Sequence, residues 1–148
     1  MLFVWLTRVL LGAAVLFAVR KGDEPERLAA TIFSAEFVLD LTNQRIFGDS
    51  TWFEVNPGTL VIDLWGLVTF TWIAIRANRG WPLVVAAMQV IIVAAHCSKL
   101  LEFEEARRSY WVMTQVPPLG QLFVLLGGTA THAARCARIG SYASWRLA

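Results

Sequence analysis

Residues 59–101 read TLVIDLWGLVTFTWIAIRANRGWPLVVAAMQVIIVAAHCSKLL, and the fold turns on this stretch. Two long apolar runs, Thr59–Ile75 and Trp81–Leu101, flank Arg76-Ala77-Asn78-Arg79-Gly80. A helix needs about 20 mainly apolar residues, rising about 1.5 Å each, to cross the hydrocarbon of a bilayer. Both runs approach that length. The segment between them is too short for anything but a tight turn, so the stretch predicts an antiparallel pair of membrane helices. Trp81 suits the interfacial zone, and Pro82 falls in the first turn, where its missing N–H leaves no bond unmade.

Toward the N-terminus, Asn56-Pro57-Gly58 is a turn signal. Leu28–Phe47 is apolar through Leu39 except for Glu36, then turns polar at Asp40, Asn43, Gln44 and Arg45. Leu2–Val19 carries one charge, Arg8, and ends in the charged turn Arg20-Lys21-Gly22-Asp23-Glu24-Pro25. No small-x-small cleavage site follows it, so it reads as a retained segment. Toward the C-terminus, Glu102–Arg108 is a charged loop and Tyr110–Ala134 is the last apolar run. That run opens on the interfacial pair Tyr110-Trp111, and a kink is expected near Pro117-Pro118. The expected fold is all-α, one antiparallel integral-membrane helix bundle over 1–148. Its five transmembrane helices fall at about 2–19, 28–47, 59–76, 81–101 and 110–134. In a four-span alternative, Leu28–Phe47 lies on the outer surface.

Composition points the same way. Apolar residues make up 57% of the chain and charged residues 16%, against about 45–50% and about 25% in soluble domains. Mean hydropathy is +0.55. The net charge of +2 offers no basic face for nucleic acid. Cys97 and Cys136 form no CxxC and fall at opposite faces in the expected topology, so no disulfide is expected.

Basic residues concentrate in cytoplasmic loops of membrane proteins. Placing Arg76 and Arg79 in the cytoplasm brings Arg20, Lys21, Arg27, Arg135, Arg138 and Arg146 to the same side in the five-span topology. That is eight of the 13 basic residues. The acidic loops with Asp49, Glu54, Glu102, Glu104 and Glu105 then lie outside, and the C-terminus is cytoplasmic.

Ionisable groups inside a membrane are costly and tend to face the bundle interior. The candidates are Arg8, Glu36, Asp40, Asp63 and His96, with Lys99 and Gln115 at a similar level. Helical spacing groups them into faces: Glu36, Asp40 and Asn43; Asp63, Gly66 and Phe70; Gln89, His96 and Lys99; and Gln121, Gly128 and His132. One reading is a polar site in the outer half, with Asp40 and Asp63 as acceptors, Arg8 as counter-charge and His96 as a titratable group. The plainer reading makes these groups structural: Arg8 pairs with a carboxylate, Asp63 caps its helix and Lys99 reaches the headgroups. His96 and His132 fall at opposite depths and do not suit joint axial ligation of a haem. There is no CxxCH, HExxH, P-loop or GxSxG pattern, and no cofactor or metal is expected.

The residues Asp63-Leu64-Trp65, Arg76-Ala77-Asn78-Arg79-Gly80-Trp81-Pro82-Leu83, Gln89, His96 and Lys99-Leu100 resemble a group of small multi-spanning inner-membrane proteins of sphingomonad-type alphaproteobacteria. The resemblance covers roughly Glu26 to Arg138. It implies a bacterial inner membrane and carries no assigned activity.

Five spans with short loops leave no soluble domain for a substrate site. The leading expectation is therefore a non-enzymatic subunit or accessory component of a membrane complex. Its partners would be the lipid bilayer and other membrane proteins or a second copy. Two alternatives are a small transporter or proton-coupled carrier using the outer polar cluster, and an intramembrane metal- or haem-binding redox protein. The carrier requires Asp40, Asp63 and His96 to converge on a cavity that water reaches.

Overall fold

A computed structural model of the chain describes residues 2–48, 56–100 and 107–146. Five α-helices follow in order: α1 (Leu2–Lys21), α2 (Glu24–Phe47), α3 (Pro57–Arg76), α4 (Trp81–Leu100) and α5 (Arg107–Ile139). No strand occurs among the described residues; one isolated antiparallel bridge joins Ala77 to Trp145. The acidic loop positions 49–55 and 102–106 lie outside the described residues.

Local chemistry sets the helix ends. α2 begins at Glu24, four residues before the Leu28 expected from hydropathy. Asp23 is its N-cap, Pro25 sits in the first turn, and Glu26 accepts the Asp23 backbone N–H at 3.1 Å. This is the glutamate half of a capping box, and proline in the first helical turn starts a helix rather than breaking one. Asn56 caps α3 by accepting the Gly58 N–H at 2.9 Å, so Asp63 is not the cap but lies within the helix. Gly48 and Gly140 follow α2 and α5 with φ of 83° and 79°, the left-handed region that glycine enters without a Cβ penalty. α5 runs unbroken through Pro117 and Pro118.

Each helix packs on its neighbours in sequence, α1 also packs on α5, and α2 touches α5 across the middle. The result is a closed ring in which sequential neighbours are antiparallel and the closing pair, α1 and α5, is parallel. One end, the turn end, carries the α1–α2 and α3–α4 turns and the C-terminal tail. The opposite end gathers the ends of α2 and α4 and the starts of α3 and α5.

The two halves of the interior differ. Toward the turn end, small and apolar side chains close the core: Ala14, Ala18, Ala29, Ala30, Phe33, Phe70, Ile73 and Leu125 are buried. The Phe33 and Phe70 rings meet at 4.6 Å. Farther from that end the buried set mixes polar side chains, Asn43, Gln89, His96 and Gln121, with apolar Ile92, Ala95 and Leu122. Large apolar side chains instead cover the outside of all five helices, including Val9, Val38, Val68, Val90 and Phe123, each more than half exposed. α3 and α4 are long and apolar enough to cross a membrane.

Candidate functional site

The polar faces predicted by spacing turn inward and meet. On α3, Gly66 and Phe70 are buried behind Asp63; on α4, Gln89 and His96 are buried; on α5, Gln121, Gly128 and His132 are buried. On α2, Glu36 and Asp40 are half-buried and Asn43 is buried, its amide donating to Thr59 Oγ1 at 3.2 Å.

A hydrogen-bonded chain ties three helices together. Gln121 Nε2 donates to Gln89 Oε1 at 2.7 Å and to the Val85 carbonyl at 3.1 Å. Gln89 Nε2 in turn donates to the Asp63 carbonyl at 3.1 Å and to its Oδ1 at 3.3 Å. Asp63 Oδ2 lies 2.8 Å from His96 Nε2, and His96 Nδ1 lies 3.0 Å from the Tyr110 hydroxyl. When Asp63 is ionised its carboxylate can only accept, and His96 Nε2 then carries the shared proton. In the neutral imidazole, Nδ1 then accepts from Tyr110; in the imidazolium it donates to the phenol oxygen.

Beside this chain is a cavity of about 190 Å³. Its lining includes Glu36, Asp40, Asp63, Gln89, Gln121, Thr59 and the rings of Phe33 and Phe37, with no lysine or arginine among the described residues. Asp40 accepts from Gln44 at 2.7 Å. Glu36 Oε1 is buried with no hydrogen-bond partner among the described residues. It fits there because α3 presents Gly66; a Cβ at that position would overlap Glu36 Oε1 and come within 2.9 Å of Gln89 Nε2.

The remaining predicted residues stand apart. Arg8 is exposed, with its guanidinium 5.5 Å from the Trp5 ring and 5.9 Å from the Phe37 ring. The ion pairs among the described residues, Asp23–Arg79, Glu26–Arg79 and Asp63–His96, do not include it. Lys99 Nζ lies 5.9 Å over Tyr110, and Gln115 is exposed on α5. Tyr110, read from sequence as an interfacial aromatic, is instead the last member of the chain. His96 and His132 face different partners at different ends, His132 Nδ1 lying 3.0 Å from the Tyr142 hydroxyl. No three His, Cys, Asp or Glu side chains come together as a metal site among the described residues.

A second polar cluster sits at the turn end. Fully buried Glu26 pairs with Arg79 and accepts the Trp81 indole N–H at 3.0 Å. Arg79 also reaches Asp23 at 3.2 Å, and Asp23 accepts from the Ser144 hydroxyl. Burial disfavours the Asp23 carboxylate, but Ser144, the Glu24 backbone N–H and Arg79 outweigh it and hold its pKa below the ordinary 3.8. Burial likewise opposes the Arg79 charge, and Glu26, Tyr142 and Asp23 together more than offset it, raising the guanidinium pKa. The Asp-x-Pro-Glu pattern at 23–26 was the sequence signal for this cluster; hydropathy alone reads it as a turn.

No family model, curated protein or solved structure matches this chain.

Proposed function

We propose that this chain is a five-span protein of the bacterial inner membrane, C-terminus in the cytoplasm, that admits a proton or similarly small cation into its internal cavity. The membrane part of this reading is supported by the distribution of polarity. Buried polar side chains inside and large apolar ones outside suit a lipid environment, where backbone groups are satisfied within helices and the lateral surface needs no water. Helices of 20 residues, such as α1, α3 and α4, rise about 30 Å, which matches the hydrocarbon thickness.

The observation that carries the cation reading is the cavity itself: among the described residues its lining has three carboxylates and no basic side chain. In a relay through His96, the Tyr110 hydroxyl would give its proton to His96 Nδ1 as Nε2–H gives its own to the Asp63 carboxylate; Tyr110 would then be reprotonated from water at its end, and the imidazole ring would turn over to restore the Nε2–H form. This favours the carrier over a purely accessory subunit. The test is reconstitution in vesicles with a trapped pH-sensitive dye under an imposed membrane potential. Native protein is expected to raise proton flux above that of empty vesicles, and Glu36→Gln and Asp63→Asn to abolish the increase. Native flux equal to that of empty vesicles contradicts the reading.

A further inference from the structure

The turn end holds eight basic residues, Arg20, Lys21, Arg27, Arg76, Arg79, Arg135, Arg138 and Arg146, against three acidic ones, Asp23, Glu24 and Glu26. All three carboxylates are already engaged, with Arg79, Trp81, Ser144 and Trp145. Apart from Arg79, the basic side chains are exposed and none makes an ion pair among the described residues. This end therefore carries an excess of basic over acidic side chains, with the Glu24 carboxylate held against the Trp145 indole.

The C-terminal tail focuses that charge at one corner. Its backbone pairs with the α3–α4 turn: Arg146 N–H donates to the Arg76 carbonyl at 2.8 Å and Asn78 N–H to the Ser144 carbonyl at 3.0 Å. The pairing brings Arg76 and Arg146 side by side. It also sets Trp145 against Trp72, with ring centroids 5.6 Å apart. Tryptophan favours the headgroup level of a bilayer, and guanidinium groups match phosphate oxygens.

We infer that this corner, Trp72, Arg76, Trp145 and Arg146, binds the headgroup of an anionic phospholipid. The inference rests on the membrane reading, which places this end in the cytoplasmic leaflet, where anionic lipids supply a negative surface. The tail is held by backbone bonds, so Arg76→Gln/Arg146→Gln removes the charges and leaves the strap in place.

The test uses the full chain in vesicles of phosphatidylcholine alone and of phosphatidylcholine with phosphatidylglycerol. An alkaline carbonate wash reports membrane integration; release from both vesicle types sinks the membrane reading by itself. Lipid retained on the protein after detergent extraction is then quantified by mass spectrometry. Native protein is expected to retain phosphatidylglycerol above its bulk share. The double variant is expected to lose about fivefold per charge removed, while Arg45→Gln, at the opposite end, changes nothing. Retention at the bulk ratio, an unchanged double variant, or an equal loss in Arg45→Gln overturns the inference.

Discussion

Glu36 reaches across from α2 to lie against Gly66 of α3, and the lack of a side chain at Gly66 is what gives its carboxyl a place beside the cavity. Gly66→Ala forces the Glu36 carboxyl and the Gln89 amide to move. Both groups are the free ends of flexible side chains, so the expected net cost is small, about 1 kcal/mol or less, after the helix preference of alanine over glycine is counted. Glu36→Ala removes the obstacle, so the double variant is expected to recover part of the loss. Thermal unfolding of the four proteins measures this coupling; strictly additive effects would show that the two residues do not interact.

The Asp63–His96–Tyr110 chain makes a prediction about one proton. With Asp63 ionised, the neutral imidazole is expected as the Nε2–H tautomer, with Nδ1 accepting from Tyr110. Nitrogen NMR of labelled imidazole reads the tautomer directly. Tyr110→Phe is expected to shift the Nδ1 signal and leave Nε2 nearly unmoved. A native Nδ1–H tautomer contradicts the assignment.

Glu26 and Arg79 form the buried ion pair of the turn end. Glu26→Ala leaves a guanidinium buried without its closest anion, a change that costs about 3–5 kcal/mol when a buried pair is broken from one side. Glu26→Gln keeps an acceptor for Trp81 and is expected to cost less. Unfolding in detergent measures both; a loss under about 1 kcal/mol for Glu26→Ala shows that the pair is not structural.

Much of the site was legible in the residues because its logic is periodic. Gln89 and His96 recur at helical spacing, as do Gln121 and His132, and a polar face on an otherwise apolar helix tends to turn toward other polar groups inside the bundle. Charge could not be read this way. Arg8 looked like the counter-charge by depth, yet its position on α1 points it outward over Trp5 and Phe37. Tyr110 was hidden among interfacial aromatics, since its role depends on where α5 starts relative to the end of α4. Hydropathy also missed the first turn of α2, because the charges of Asp23, Glu24 and Glu26 mask a capping pattern. The tail's pairing with Ala77 joins segments far apart in the chain, which no local pattern announces.

Asp23 gives a pH dependence. Its carboxyl is held below the ordinary 3.8 in the folded state, so its contribution is present in full above about 3.8 and is lost as pH falls through the lower folded value. Native protein is expected to lose stability over that acid range more steeply than Asp23→Asn. Melting temperatures taken from neutral pH to below 3.8 test this; parallel curves for the two proteins contradict it.

The proposal that the ring crosses a membrane is tested most directly by cysteine labelling. Cys97 and Cys136 are replaced by serine, and single cysteines are placed at the exposed positions Lys21, Gly80 and Arg45. A membrane-impermeant thiol reagent is then applied to cells with the outer membrane permeabilised and the inner membrane intact. The account predicts labelling at Arg45→Cys alone, with Lys21→Cys and Gly80→Cys reacting only after the inner membrane is opened. Equal labelling at all three positions on the intact membrane would mean that the two ends of the ring share one side, and the bundle would not span.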